Sequence, residues 1–429
     1  MSERYACSEA YLARAERVIP LGSQTFSKSK TQYPYGVSPY FATHGQGCRL
    51  WDLDGNEYID CVMGLAAVTL GYNDPEVNAA VVEQLGKGTI FSLASPIEAE
   101  VAERICAMVP CGEQVRFGKN GSDATAGAIR LARAYTGREH VAVCGYHGWQ
   151  DWYIGSTARH KGVPKAVREL THSFAYNDLA SLDALFDACH NGIAAVILEP
   201  MNVAEPAPGF LEGVRERCTR HGALLVFDET ITGFRFANGG AQQHFGVTPD
   251  LATFGKGLAN GFPLSALAGR KELMREMEEI FFSFTFGGET LSLAAALAVL
   301  RRLEREPILA DIALRGERLQ RRLAECVERH GLGDILTVTG HPAWSFLLVK
   351  DAPTASQWEI KTFLMQEMLA RGMLWLGSHN LSHAHQDTEI DGLIATYEEV
   401  LALLAEALRN DRLQTMLKCQ PLEPLFKVR

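Results

Sequence analysis

The chain has 429 residues, 47% apolar and 21% charged, a composition that excludes a disordered or low-complexity protein. Its 41 basic and 51 acidic residues sum to −10, so the surface repels phosphate backbones and anionic membranes, and nucleic acid is not an expected partner. No uncharged apolar run reaches the about 18 residues that a membrane span requires.

The N-terminal segment, MSERYACSEAYLARAERV, is charged and amphipathic and has no apolar signal core, so a cytoplasmic location is expected. Residues 22–36 are rich in Gly, Ser, Thr and Pro and read as loop. Two short apolar runs around Asp54-Gly55, within 47–64, read as a hairpin. Asp74-Pro75 opens a helix that stops near Gly86. From 95 to 300, helical and apolar strand segments alternate: helices at 96–110, 123–137 and 209–222, strands at 115–122, 140–148, 193–200, 223–230, 250–257 and 264–269. Continuous apolar strands between helices predict a mostly parallel sheet with both faces covered. Residues 301–331 read as one long charged helix. Short strands follow at ILTVTG and WSFLLVK, then helices at KTFLMQEMLARG and TEIDGLIATYEEVLALLAEAL. The expected division is a large α/β domain over 61–305 and a small α+β domain built from 1–60 and 306–429.

Ten cysteines lie between Cys7 and Cys419 without a CxxC, and 13 histidines show no HExxH. Reduced, mostly buried thiols and no bound metal are therefore expected.

The candidate chemistry falls at the C-terminal ends of the predicted strands, where open α/β sheets bind ligands. In NGSDAT (120–125), Gly121 permits close backbone approach, and Ser122 sits where N–H groups are free. This is either an ordinary helix cap or an anion site. In GYHGW (145–149), Tyr146 or His147 could stack on a flat ring or plug the turn. VFDET ends a strand with Asp228 and Glu229. A buried carboxylate there needs a partner, and a protonated ring nitrogen would serve; a metal would need further carboxylates. Lys256 lies between Gly255 and Gly257 just after a strand, where burial lowers an amine pKa and favours a Schiff base. Lys256, Asp228 and an anion cradle at Gly121-Ser122 are the parts that a pyridoxal phosphate site requires.

These motifs resemble the class III aminotransferases among fold-type I pyridoxal phosphate enzymes, most of all the glutamate-1-semialdehyde aminomutase-like branch. The resemblance spans nearly the whole chain. It is carried by VRFGKNGSDATAGAIRLARAYTGR, GYHGW, AAVILEPM, LLVFDETITGFR, GVTPDLATFGKGLANGFPLSALAG and SFTFGGET. It implies a large domain with a mostly parallel sheet, a small α+β domain, and pyridoxal 5′-phosphate held on Lys256 as a Schiff base. It further implies that Asp228 pairs with the ring nitrogen, that Gly121 and Ser122 bind the phosphate, and that Tyr146 stacks on the ring. It places His147, Asn177 and the acid Glu199 beside the cofactor. Thr285 would reach the phosphate of a neighbouring subunit, making the enzyme a homodimer. The implied activity transfers an amino group from a small-molecule donor to the carbonyl of a small polar, sugar-like substrate; a 2,1-aminomutase or an epimerase is the alternative.

The sequence departs from the aminomutase pattern near the substrate. Lys28 lies near the position where that branch has a carboxylate-binding arginine, and a lysine loses the bidentate grip. Gly377, Ser378, His379 and Asn380 stand where that branch has an acidic residue before its SLAH stretch. Trp149, Trp152 and Tyr153 offer rings on which a sugar could stack, and Glu289-Thr290 replaces Asn-Pro after TFGG. Lys28, Trp149 and His379 are the expected substrate contacts.

Overall fold

The computed structural model describes residues 3–423. Strands β1 (Ala42–Gln46), β2 (Arg49–Asp52) and β3 (Glu57–Asp60) come first. Then follow β4 (Gln114–Gly118), β5 (His140–Cys144), β6 (Thr171–Ser173), β7 (Ile193–Leu198), β8 (Leu224–Glu229), β9 (Leu251–Phe254) and β10 (Ser265–Gly269). The last are β11 (Leu336–His341), β12 (Trp344–Val349), β13 (Met373–Leu374) and β14 (Ser378–Asn380). Two compact units result. One takes in the described residues up to 65, 69–74 and 310–423; the other takes in 66–68 and 75–309. The chain crosses between the units after 65, 68, 74 and 309, in place of the expected single boundaries after 60 and 305.

The second unit is built on a seven-stranded sheet in the order β4-β10-β9-β8-β7-β5-β6. Strands β6, β5, β7, β8 and β9 are parallel, and β10 runs antiparallel to both β9 and β4. Strands β7 and β8 are buried at every residue. Their side chains alternate between two cores: Ala195, Ile197, Leu224 and Val226 on one face, Val196, Leu198, Leu225 and Phe227 on the other. That is why they read as unbroken apolar runs. Strand β6 escapes the sequence reading, because three residues of mixed polarity carry no periodic signal.

Helix Pro96–Met108 starts with a capping box of Ser95 and Glu98, and helix Gly121–Thr136 starts with one of Asn120 and Asp123. The expected single helix over 301–331 is instead two, Thr290–Arg305 and Ile308–Arg329. The break is at Glu306, whose backbone is extended (φ −122°, ψ 144°). A residue before proline is driven out of the helical region, and Pro307 is next.

The first unit holds two small sheets, β1-β2-β3-β13 and β11-β12-β14. The β2–β3 hairpin turns at Gly55 (φ +83°), where the Asp52 carboxylate accepts from the backbone N–H groups of Asp54 and Asn56. Helices Ala6–Ala15, Gln357–Ala370 and Asp387–Arg409 also lie in this unit. All ten cysteines are free thiols, six of them buried. Among the described residues, no helix is long and apolar enough to cross a membrane.

Glu229 ends β8 fully buried. Its carboxylate accepts from the backbone N–H groups of Ala241 and Gln242, from the Gln242 side chain and from the Thr232 hydroxyl. Burial pushes its carboxyl pKa up, and those donors oppose the shift. Glu229→Ala strands several buried donors at once and should cost about 2–4 kcal/mol. Urea unfolding of the two proteins measures it.

Candidate active site

Because β4, β5, β7, β8 and β9 share one direction, their C-terminal ends lie along one edge of the sheet, and the candidate residues collect there. Asp228 is the penultimate residue of β8 and is buried. One oxygen accepts from the Thr230 N–H (3.1 Å), the Thr230 hydroxyl (2.6 Å) and the Thr253 hydroxyl (3.1 Å). The other lies 2.8 Å from His147 Nδ1. Burial pushes this carboxyl up, but the hydrogen bond and charge of His147, with the Thr230 donors, outweigh it and hold the pKa below the ordinary value. His147 Nε2 is buried with no hydrogen-bond partner among the described residues.

Lys256 follows β9 and begins a short turn of 3₁₀ helix, Lys256–Ala259, with φ at +43°. Burial lowers its amine pKa to about 8. The charges of Glu199 and Asp228 pull the other way, and that of the buried Arg235 adds to the lowering. Arg235 donates to the Ala66 carbonyl, and burial lowers its own pKa to about 10.

Glu199 directly follows β7. It accepts from the Tyr146 N–H (2.9 Å) and the Asn202 amide (2.8 Å). Burial raises its pKa, and the nearby Asp228 charge adds to the rise. Gly145 (φ +108°) turns the chain so closely over Glu199 that a Cβ there would sit 2.5 Å from Oε2. Tyr146 is half-exposed, edge-on to Tyr153, whose hydroxyl donates to the Gly145 carbonyl.

Ser122 stands in the first turn of helix Gly121–Thr136, where backbone N–H groups lack helical acceptors. Its hydroxyl accepts from the Trp149 N–H (3.3 Å). Gly148 (φ +104°) crosses so near that a Cβ would lie 2.2 Å from the Ser122 oxygen, and a Cβ on Gly121 would lie 2.9 Å from Thr230. Glycines thus clear a cradle at a helix N-terminus beside a buried acid and a half-buried amine. That donor set fits pyridoxal phosphate: N–H groups for its phosphate, Asp228 for a ring nitrogen, Lys256 for its carbonyl.

Other sequence candidates have different surroundings. Trp149 is exposed, but Trp152 and Tyr153 are buried, Trp152 against the core, so these two offer no stacking surface. Asn177 uses its amide on the Glu205 carbonyl and the Ala207 N–H, and so braces a loop. Thr285 is exposed in the turn before Glu289. Glu289 caps helix Thr290–Arg305 and pairs with Lys119 at 3.0 Å, which accounts for its presence after TFGG. In the first unit, Lys28 is exposed at the rim of a cavity of about 210 Å³ that Tyr33, Tyr40, Asp60 and Tyr72 also line. His379 is fully buried, with one ring nitrogen on Ser345 and the other on Tyr397. Both nitrogens are spent inside the core, so its expected substrate contact is not what the geometry gives it.

Sequence reasoning missed Thr230 and Thr253, the hydroxyls that hold Asp228. Thr230 carried a signal, since a threonine two residues after an aspartate readily closes a local side-chain turn. Thr253 carried none.

The model of the class III aminotransferase family matches residues 32–380. Over 409 residues the chain is 34% identical to a 3-aminobutyryl-CoA aminotransferase of Cloacimonas acidaminovorans, covering 93% of this chain and 97% of that one. It is 35% identical to a glutamate-1-semialdehyde 2,1-aminomutase of Syntrophobacter fumaroxidans, covering 88% and 93%. The structure of the FumI protein of Sphingopyxis sp. MTA144 in its PLP internal aldimine form superposes with a TM-score of 0.88 at 31% identity, covering 97% and 99%. The fold is that of the pyridoxal phosphate-dependent transaminases. The chain belongs to the class III aminotransferases, and pyridoxal 5′-phosphate is its cofactor.

Gly148→Ala forces the Ser122 hydroxyl aside and should weaken cofactor binding about tenfold, equivalent to about 1.4 kcal/mol. Equilibrium titration of the apoprotein with pyridoxal phosphate measures this.

Proposed function

We propose that the protein transfers an amino group between a small-molecule amine donor and the carbonyl of a small polar substrate, with Lys256 as the covalent attachment point and proton carrier. The observation that supports this most directly is a half-buried lysine whose amine pKa falls to about 8 within the field of Asp228 and Glu199. Pyridoxal phosphate supplies the carbonyl that joins to amines and the ring that accepts electron density from the reacting carbon.

The chain's own residues divide the remaining work. Lys256 would hold the cofactor through its amine, and that amine would carry a proton to and from the substrate carbon bearing the amino group. Asp228, kept ionised by His147 and the threonine donors, holds a proton on the ring nitrogen. Ser122 and the N–H groups at Gly121 bind the phosphate. Tyr146 covers the ring, and Glu199 fixes the Tyr146 backbone. Trp149 is the ring left for stacking on a sugar-like acceptor, since Trp152 and Tyr153 are buried.

A homodimer completes the proposal, with Thr285 reaching the phosphate held by the second copy. Val82, Leu85, Phe91 and Leu93 are exposed, and Phe91, Ala294, Leu297 and Ala298 line a groove of about 680 Å³ beside helix Pro75–Leu85. Exposed apolar side chains gathered around such a groove suit a like surface. Sedimentation equilibrium at micromolar concentration should return twice the chain mass; a monomer there removes this part.

The aminomutase reading has its own support in the Syntrophobacter fumaroxidans relative. The two differ in stoichiometry. A donor and acceptor screen with sugar-like and oxo-acid carbonyl compounds should give one aminated product per donor consumed. Turnover of a single amino aldehyde without a donor would favour the aminomutase.

Borohydride reduction followed by peptide mapping should place the cofactor's mass on Lys256. Lys256→Ala should lower turnover by about 10²–10⁴-fold or more, the range of a lost acid–base group. Capture of pyridoxal phosphate by the apoprotein should quicken as pH rises through about 8 and then level off, because only the neutral amine adds to a carbonyl and burial lowers the Lys256 pKa to about 8. A rate still climbing at pH 10 would contradict that environment. Asp228→Asn should keep the lysine linkage but lower turnover about hundredfold, the scale of one lost electrostatic contact in a transition state.

A further inference from the structure

A second cluster lies in the same unit, where β5 begins, at the opposite end of that strand from Gly145. His140 opens β5, and His172 is the middle residue of β6. In the parallel pairing, His172 stands opposite Ala142. The register shifts between His140 and Val141, and the two histidine rings meet with centroids 5.1 Å apart beside the sheet face that carries Ala142. Elsewhere that face is apolar: Ala142, Cys144 and Phe174 pack there with Leu182 and Phe186 of helix Leu179–Ala188. Cys189 caps that helix and packs against the same core. The turn after it returns to His140, whose N–H donates to the Gly192 carbonyl, while the Gly192 N–H donates to the Cys189 carbonyl at 2.7 Å. A Cβ at Gly192 would sit 3.1 Å from the His140 ring, so glycine lets the ring lie against the turn.

From this arrangement we infer that His140, His172 and Cys189 form a binding site for a borderline-soft divalent ion of the Zn²⁺ type. His140 Nδ1 and His172 Nε2 are 2.9 Å apart, and one ring nitrogen of each histidine and the Cys189 sulfur all lie within 4.8 Å of one another. Zinc–nitrogen bonds of about 2.0–2.1 Å and zinc–sulfur bonds of about 2.3 Å need ligand separations between those two values, which side-chain rotation of about 1 Å supplies. Two imidazoles and a thiolate are the ligand types such ions prefer over Mg²⁺ or Ca²⁺. All three residues are half-buried and β6 is an edge strand, so an ion can enter from solvent and a water can complete a tetrahedron.

The protons balance. Each neutral imidazole keeps its one proton, moved to the nitrogen facing away from the ion, and Cys189 releases its thiol proton to solvent as the metal–sulfur bond forms. Burial lowers the His172 pKa, which favours the neutral, metal-binding ring. Bound, the ion would clip the edge strand to the helix-capping turn. A second possible cluster, Cys326, His330 and Glu398, is poorer, because the Arg329 guanidinium also pairs with the Glu398 carboxylate and competes with a cation. The sequence concealed the better site, since its ligands come from three separate elements with no motif spacing.

The test is Co²⁺ titration of the purified holoprotein, read in the ligand-field bands to the red of the cofactor's absorption. One equivalent per chain should give bands of tetrahedral intensity. His140→Ala, His172→Ala and Cys189→Ser should each weaken binding about tenfold or more, while His330→Ala leaves it unchanged. In the wild-type protein, Zn²⁺ should slow iodoacetamide labelling of Cys189 but not of the exposed Cys7, as read by peptide mass mapping; this arm stands even if a variant fails to fold. Absent bands, unchanged binding by Cys189→Ser, loss of binding with His330→Ala, or Cys189 labelling at one rate with and without Zn²⁺ overturns the assignment.

Discussion

A carboxylate held ionised inside a buried strand end is the constraint on which the rest of this site depends. Removing Asp228 from water disfavours its charge, and without compensation the group would be neutral. Compensation comes from three directions: His147 from the turn after β5, Thr230 from the next residues of its own chain, and Thr253 from β9. Each donor ties a different segment to β8. The same hydrogen bonds that keep the charge therefore fix the positions of the β5 turn and of the strand that delivers Lys256.

The sheet makes this possible. Parallel strands put their C-terminal ends on one edge, so five loops meet there without any of them crossing the core. Close contact among those loops is then a matter of missing side-chain atoms. Gly145 clears Glu199, Gly148 clears Ser122, and Gly121 clears Thr230. The antiparallel β10 separates β4 from β9, yet leaves the end of β4 on the same edge, so the helix start at Gly121 still faces the site.

Much of this was legible in the residues, and the reasons for what was not are physical. Strands such as Ile193–Leu198 and Leu224–Glu229 announced themselves because both faces are buried, leaving unbroken apolar runs up to Leu198 and Phe227. Strand β6 did not, because an edge strand of three residues needs little apolar surface. The proline rule that ends a helix was present at Glu306-Pro307, but the amphipathic pattern continued across it and concealed the break. Lys256, Asp228 and Ser122 stood out through glycine neighbours and strand-end position. Trp152 and His379 misled because aromatic and imidazole rings look alike in sequence whether they face a ligand or a core. Only burial separates Trp149, which is exposed, from Trp152, which is not.

Lys256 also occupies a left-handed backbone conformation, with φ at +43°. A side chain bearing a Cβ is disfavoured there by about 1–2 kcal/mol, and glycine is the residue the backbone itself would choose. Folding and chemistry thus make opposite demands on one position. Drift toward a more stable protein would favour glycine here wherever the amine has no use. Inactive descendants of such a chain would be expected to be sturdier than their working ancestor.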